Sequence, residues 1–220
     1  CQIEKGPFDF FCFSQNTRYP IFIYTLKLTK KQEKQEKSLH KKKYITEVAK
    51  MSNFKEITPE EYKGNVFNDI GKKWMLITAA KDGKVNTMTA SWGNMGVMWG
   101  KDIVSVFIRQ TRFTKEFVDN ADCFSISFLD HEKYAKELGY LGTVSGRDED
   151  KINKANLHVE FSGDVPYIEE ADDVMICKKM FRQTMEPDAF IDKEALEKWY
   201  SDKNYHDMYM ASIEHILEKK

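Results

Sequence analysis

Apolar and small polar residues alternate most regularly in the segment Cys123–Leu129. Phenylalanine or isoleucine stands at every second position, and serine or cysteine stands between them. Because successive side chains of an extended chain point to opposite faces, this alternation predicts a half-buried β-strand.

Other short segments are rich in β-branched or aromatic residues, which is typical of strands. We predict strands over five of them: Trp74–Ala79, Asn86–Trp92, Ile103–Arg109, His158–Phe161 and Val174–Phe181. The dipeptide Asp82-Gly83 predicts a tight turn between the first two strands. The segment Tyr205–Leu217 fits a helix as well as a strand, so its pattern leaves both open.

Helices are predicted between these strands. The run Thr58-Pro59-Glu60-Glu61 has the residue types of a helix N-terminus, with threonine as N-cap and proline at the first position. Further helices are predicted over Thr111–Asn120, His131–Leu138, a short stretch from Ser145 through Ile152, and Pro187–Tyr200. Short strands with inserted helices predict a mainly β protein, a β-barrel decorated by helices.

The composition changes near residue 50. Residues 1–50 carry a net charge of +6 and one glycine, whereas residues 51–220 carry −7, ten glycines and all four tryptophans. We therefore predict that 1–50 is an N-terminal extension outside the domain and that 51–220 is the domain. The alternative is that the early aromatic patch, Phe8–Phe13, is a partner-binding arm.

Charge and motifs exclude several classes of protein. The net charge of −1, from 34 basic and 35 acidic residues, argues against a generally basic nucleic-acid binder. No apolar run approaches the roughly 18–20 residues of a membrane span, and no CxxC pair or HExxH metal spacing occurs. Dinucleotide, P-loop and serine-hydrolase motifs are also absent. We expect a cytoplasmic protein without a metal site.

Two stretches concentrate hydroxyl, amide and cationic groups without a carboxylate: 86–94 and 109–114. If Thr111 caps a helix, Arg112 and Thr114 lie in its first turn, where free N–H groups favour a phosphate. Ordinary capping with solvated arginines is the alternative. A third stretch, 142–151, could add Arg147 and Lys151 to the same phosphate, or form only local ion pairs.

Tryptophans flank a glycine-rich stretch at 92–100. Trp92, Met98 and Trp99 offer a flat apolar wall that suits a fused-ring cofactor, because the glycines allow close approach to the backbone. The alternative is that these tryptophans belong to the core. The histidines are scattered, and only His206 is retained as a candidate, without an assigned role.

Taken together, these segments resemble the flavin reductase-like family of FMN-binding split barrels, which includes flavoredoxins. The resemblance covers roughly residues 55–218. Its motifs follow in order as residues 86–93, 97–101, 106–109 with 112–114, 124–128, 138–143 with 145–148 and 150–151, 165–167, and 205–209. Gln110-Thr111 departs from the proline-serine often found in the family but keeps the hydroxyl group.

This resemblance implies a six-stranded Greek-key split β-barrel, usually a homodimer with FMN near the subunit interface, and makes Tyr205–Leu217 a strand. It implies a cofactor site at Asn86, Thr87, Met88, Thr89, Ala90, Ser91 and Trp92 for the ring and ribityl chain, and at Arg109, Arg112, Thr114 and Lys151 for the phosphate. No catalytic residue is separable from the flavin.

The implied function is an FMN-binding oxidoreductase that transfers hydride or electrons, with NAD(P)H or a redox protein as a partner. One alternative is an electron carrier of the flavoredoxin type without direct NAD(P)H turnover. Another is a non-catalytic protein that binds flavin.

Overall fold

The computed structural model describes residues 53–220, so the predicted extension 1–50 lies outside the described residues. Strands dominate this part of the chain. They are β1 Phe54–Ile57, β2 Met75–Lys81, β3 Lys84–Ala90, β4 Gly93–Met98, β5 Lys101–Arg109, β6 Cys123–Phe128, β7 Val159–Ser162, β8 Val165–Ile168, β9 Asp173–Thr184 and β10 His206–Lys219.

Eight of these strands form one antiparallel sheet in the order β3-β2-β6-β9-β10-β5-β4, with β1 paired to β10. β7 and β8 form a separate hairpin. The predicted mainly β architecture is confirmed. The sheet has two strands more than the expected six, and β1 finds a partner because β10 is 14 residues long. β10 pairs with β5 through its first half and with β1 through its last residues.

Short helices connect the strands. They are α1 Val66–Asn68, which continues as a π-helical turn over Asp69–Lys73, α2 Phe113–Asn120, α3 His131–Thr143, α4 Lys151–Lys154, a 3-10 turn Pro187–Ala189, and α5 Lys193–Tyr200. The expected helix over Pro187–Tyr200 is thus two short pieces. The segment Tyr205–Leu217, left open by its pattern, is a strand.

The predicted helix start at Thr58 is wrong. Thr58 and Glu61 form one half of a capping box, because Thr58 N–H donates to Glu61 Oε2 at 2.9 Å, but Glu61 N–H donates to the Thr58 backbone carbonyl at 3.1 Å. The segment makes a single turn and then leaves it. No apolar stripe follows that could pack a longer helix onto the core.

Two further helix starts differ from the expectation. Arg112, not Thr111, precedes α2 and makes no side-chain cap, and the Thr111 hydroxyl instead accepts from Asn204 Nδ2 at 2.9 Å. The next helix, predicted to start at Ser145, instead begins after Asp150, whose side chain accepts from Asn153 N–H. The turn at Asp82-Gly83 is confirmed, with φ values of 50° and 73° that suit a type I′ hairpin.

Two apolar clusters form the core. One includes Val106, Ile108 and Phe117 and lies between the barrel strands and α2. The other includes Leu138, Leu141 and Ile168 and lies beneath α3 and the β7–β8 hairpin. Both helices are therefore fixed near β3, and this arrangement positions the candidate site.

Candidate functional site

A cavity of about 410 Å³ opens between the end of β3, the start of α2, α3 and α5. Its lining combines aromatic, small and cationic side chains. The lining residues are Trp74, Met88, Thr89, Ala90, Ser91, Trp92, Phe107, Arg109, Arg112, Leu138, Gly139, Gly142, Thr143, Trp199 and His206.

Two arginines enter the cavity from neighbouring points of the chain, where β5 ends and α2 begins. Arg112 Nη1 donates to the Gly142 carbonyl at 2.6 Å, at the C-terminal end of α3. Burial and the nearby Arg109 guanidinium lower the pKa of Arg112. A guanidinium has five N–H donors, and this bond engages only one of them. Arg112 therefore keeps donors for a ligand.

Arg109 is more fully engaged by the protein. Its Nη1 donates to the Asn204 carbonyl at 2.8 Å, and its Nη2 donates to the Trp199 carbonyl at 3.1 Å. The Asp202 carboxylate lies 3.7 Å from Nη1, but this side chain is 62% exposed. An exposed carboxylate at that distance compensates little of the arginine's charge.

His206 adds a third basic group to the cavity. It is buried, and its Nδ1 lies 2.9 Å from the Tyr200 hydroxyl. Burial, with Arg109 and Arg112 nearby, lowers the pKa of His206 to about 4. The imidazole is therefore neutral at pH 7 and has one donor and one acceptor nitrogen.

No aspartate or glutamate occurs among the described residues that line this cavity. Two guanidinium groups thus share a partly enclosed space without an acidic lining residue. Such an arrangement favours an anion, and a phosphate group in particular, because one planar guanidinium group can donate two parallel hydrogen bonds to two phosphate oxygens.

Helix α3 presents glycines to the cavity. A Cβ built on Gly139 meets no atom within 4 Å, so open space lies directly against the backbone there. A Cβ on Gly142 would lie 3.2 Å from Thr89 Cβ, which shows how closely α3 approaches β3. The backbone at Gly139 leaves room for a flat group, and the cavity volume lies within the usual range for small-molecule sites.

Aromatic rings form another part of the lining. Trp92 meets Trp199 edge to face at 5.1 Å between ring centroids, and it lies 4.9 Å from the His206 ring. Trp199 belongs to α5 and is 46% exposed. The cavity therefore has an apolar, π-rich part next to its basic groups.

The residues singled out from the sequence separate into two groups. Seven of them line the cavity: Met88, Thr89, Ala90, Ser91, Trp92, Arg109 and Arg112. The other four are not part of its lining: Asn86, Thr87, Thr114 and Lys151.

The four outlying residues make internal contacts. Thr87 Oγ1 lies 2.9 Å from Thr78 Oγ1, and Asn86 Nδ2 donates to Thr114 Oγ1 at 2.8 Å. Buried Lys151 donates to the carbonyls of Leu141 and Val144 at the end of α3. Burial and the Arg112 charge lower the pKa of Lys151 to about 8.

Two of these four residues, Asn86 and Lys151, line a second cavity of about 340 Å³ together with Gly146. Arg147 does not join either lining: it pairs with Glu116 on the surface. The suggested wall of Trp92, Met98 and Trp99 is also divided, because Trp99 is 65% exposed at the β4–β5 turn, away from the lining residues.

The predicted site residues included none from α3 or α5, although residues 138–143 belong to the motifs that carry the resemblance, and His206 had no predicted role. The missed lining residues are Trp74, Phe107, Leu138, Gly139, Gly142, Thr143 and Trp199. One signal was present in the sequence: Gly139 and Gly142 are three residues apart, which places both on one face of a helix.

The sequence profile described as the flavin reductase like domain matches residues 67–218. The chain belongs to this family. The resemblance seen in the motifs is thereby confirmed, and the family assignment covers the strands and helices that build the cavity. No protein of curated function matches the chain.

Solved structures share the fold at low sequence identity. An FMN-binding domain of a flavin reductases-like enzyme from Shewanella baltica is 13% identical, with a TM-score of 0.56 over 76% of this chain and 78% of that one. Flavoredoxin from Methanosarcina acetivorans is 21% identical, with a TM-score of 0.52 over 72% and 76%. Nitrilotriacetate monooxygenase component B from Bacillus cereus is 18% identical, with a TM-score of 0.52 over 73% and 79%.

In residues 53–220, no helix is both long and apolar enough to cross a membrane.

Proposed function

We propose that the cavity binds FMN and that the protein is an FMN-dependent oxidoreductase. The observation that carries this proposal is the pairing of Arg109 and Arg112 in a cavity without an acidic lining residue, which the open backbone at Gly139 of α3 also lines. Family membership and FMN-binding neighbours of the same fold support the choice of cofactor.

Arg112 is the residue best placed to hold the phosphate, since most of its donors remain available. Arg109 adds charge. Lys151 and Arg112 both bind carbonyls at the C-terminal end of α3, so Lys151 acts by ordering the backbone that positions Arg112. Thr114 and Asn86 support the start of α2 in the same way.

The ring and ribityl chain are assigned to the stretch from Met88 to Trp92 and to the open surface at Gly139. Bound FMN would supply hydride or electron transfer. The protein's part is to bind and orient the cofactor, and to shield it from water with Trp92 and Trp199. His206, neutral at pH 7, offers a hydrogen bond within the cavity without adding a third positive charge.

The first test is the absorbance spectrum of the purified full-length chain after addition of FMN and removal of the excess. Retained, perturbed flavin absorbance is expected, and protein that emerges colourless would overturn the proposal. Anaerobic mixing of the loaded protein with NADPH then separates two functions. Rapid bleaching identifies a reductase, whereas bleaching by dithionite alone identifies an electron carrier that takes electrons from a redox protein.

We also propose that the protein is a homodimer. Val97 and Trp99 are 72% and 65% exposed at the β4–β5 turn, and a second subunit would cover this apolar tip. Light scattering during size-exclusion chromatography is expected to give twice the chain mass. A monomer that retains FMN would contradict the dimer but leave the one-chain site standing. A cytoplasmic location stays a prediction.

A further inference from the structure

The chain between β9 and β10, residues 185–205, reaches the cavity lining through Trp199 of α5, and we call this segment the lid. Residues next to the end of β5 and at the start of β10 hold the lid. Gln110 N–H donates to the Tyr205 carbonyl at 3.0 Å, and the Tyr200 hydroxyl contacts His206.

Arg109 makes the most direct connection between barrel and lid. Its two hydrogen bonds end on backbone carbonyls of the lid, at Trp199 and Asn204, and its guanidinium carbon lies 5.5 Å from the centre of the Tyr200 ring. The Arg109 side chain therefore holds Trp199 and Asn204, the two residues that flank the turn at the end of the lid. A lysine at this position would keep the charge but could not reproduce the two-pronged contact.

Trp199 is the lid residue that this contact positions. Its carbonyl accepts from Arg109, while its indole meets Trp92 at the cavity rim. Trp199 is nevertheless 46% exposed, and Lys198 Nζ lies 5.1 Å from the centre of its ring. A large aromatic surface left open beside a cavity is typical of a binding wall, because aromatic rings gain from offset or edge-on contact with another ring.

We infer that Trp199 forms a substrate subsite for a planar conjugated ring and that Arg109 is the positioning residue that holds this wall in place. The inference rests on the proposed function, because the ring would bind beside the cofactor. Arg109 thus contributes less to phosphate binding than its place in the sequence implies, and Arg112 contributes more.

The binding test uses quinoline, a planar ring that is redox-inert here, and the full-length chain loaded with oxidised FMN. The dissociation constant is read from the change in flavin absorbance. With every protein kept saturated with FMN, Trp199→Ala is expected to weaken quinoline binding roughly tenfold. Trp199→Phe is expected to restore most of the affinity. Ile191→Ala is the matched control, because Ile191 is an exposed apolar residue of the same lid.

The positioning role is tested by limited trypsin digestion of Arg109→Lys. The lid offers Lys193, Lys198 and Lys203 as cleavage sites. We expect the variant to be cut there several-fold faster than the wild-type chain, with or without FMN, and to bind quinoline more weakly. Arg112→Lys, which does not contact the lid carbonyls, is expected to leave the cleavage rate unchanged.

The outcomes separate this inference from the proposed function. Failure of the wild-type chain to bind FMN would contradict the proposed function. The digestion without FMN would still test whether Arg109 holds the lid in place. Normal quinoline binding by Trp199→Ala overturns the subsite. Unchanged cleavage of Arg109→Lys, together with weaker FMN binding than riboflavin binding, would make Arg109 a phosphate ligand only.

Discussion

Two clusters of charged residues lie back to back at the start of β10, and they differ in how their charges are matched. On the cavity side, His206 faces Arg109 and Arg112, with no acidic residue in the cavity lining. On the other side, the adjacent Asp207 is fully buried and lies 2.7 Å from Arg182 and 3.0 Å from Lys115.

The second cluster is closed by further hydrogen bonds. Thr184 Oγ1 donates to Asp207 at 2.9 Å, and the Tyr209 hydroxyl donates to Asp119 at 2.7 Å. Burial alone would raise the pKa of Asp207, but hydrogen bonds from Lys115 and Thr184 outweigh it and keep the pKa below its ordinary value. These charges are matched within the fold and contribute to its stability.

The two clusters therefore differ in what their charges contribute to the protein. Ions that are paired and hydrogen-bonded inside the protein stabilise it and leave little for a ligand, whereas cations grouped without acids cost stability until an anion binds. We therefore expect substitutions in the Asp207 cluster to affect unfolding, and those in the cavity to affect ligand binding.

The largest effect is expected from Asp207→Ala, which removes the buried partner of Lys115 and Arg182. Asp119 stays beside both cations and the Arg182 side chain is half exposed. We therefore expect a loss near the lower end of the about 3–5 kcal/mol of unfolding free energy that breaking a buried ion pair typically costs. Urea unfolding followed by circular dichroism measures it. Asp202→Asn, which removes an exposed carboxylate beside Arg109, is the control and is expected to cost less than about 1 kcal/mol. Equal effects would contradict the contrast between the clusters.

The next effect concerns the cavity. Arg112→Ala is expected to weaken FMN binding by about 1.5–3 kcal/mol, roughly ten- to a hundredfold, because it removes charged hydrogen bonds to the phosphate. Riboflavin, which lacks the phosphate, should be affected much less. Fluorescence titration with both ligands measures the difference.

Arg147→Ala is the matched control for that experiment, since Arg147 pairs with Glu116 outside the cavity lining. It is expected to leave both affinities unchanged. If Arg112→Ala weakens FMN and riboflavin equally, Arg112 does not touch the phosphate.

The third prediction uses the pH dependence of stability without FMN. The folded pKa of His206, about 4, lies below the ordinary value of about 6.5, so the unfolded chain binds more protons in this interval. Stability should therefore fall as the pH decreases, by about 2 kcal/mol between pH 7 and pH 5 from this group. Burial raises the pKa of Asp173 to about 6, which acts in the opposite direction over the same range.

His206→Asn isolates the histidine contribution, because Asp173 is unchanged in the variant. The loss of unfolding free energy on acidification should be smaller in the variant than in the wild-type chain. Parallel pH profiles for the two proteins would show that His206 titrates normally in the folded state.

The smallest effect is expected outside both clusters. A chain that begins at Met51 should fold, bind FMN and keep the melting temperature of the full chain, because residues 1–50 are predicted to lie outside the domain. Differential scanning calorimetry with and without FMN checks this. A loss of several degrees, or insoluble protein, would mean that the aromatic patch Phe8–Phe13 packs on the domain.

Local signals predicted the strands better than the helix ends. The alternation in Cys123–Leu129 and the Asp82-Gly83 turn correspond to β6 and to the β2–β3 hairpin. The Thr58 capping signal failed because one satisfied turn does not make a helix without packing. β1 was missed because its short sequence gains a partner only from β10, about 160 residues later.

The same limit applies to the site. Met88–Trp92 could be recognised because these residues are consecutive, and Arg109 and Arg112 because they flank a helix start. Trp199 could not, because folding alone brings α5 to the cavity. The spacing of Gly139 and Gly142 indicates a shared helix face but not that this face meets β3.

The order of the motifs was enough to predict the family, the mainly β class and the grouping of cations with hydroxyls near the start of α2. Which of these charges have a partner of opposite sign follows from the packing of distant segments. His206 and Asp207 are neighbours in β10, and an extended chain must send them to opposite faces. The charged residues that each of these two side chains contacts are supplied by β5, β9 and α2. Charge pairing is therefore a property of contacts between distant segments, which no local pattern contains.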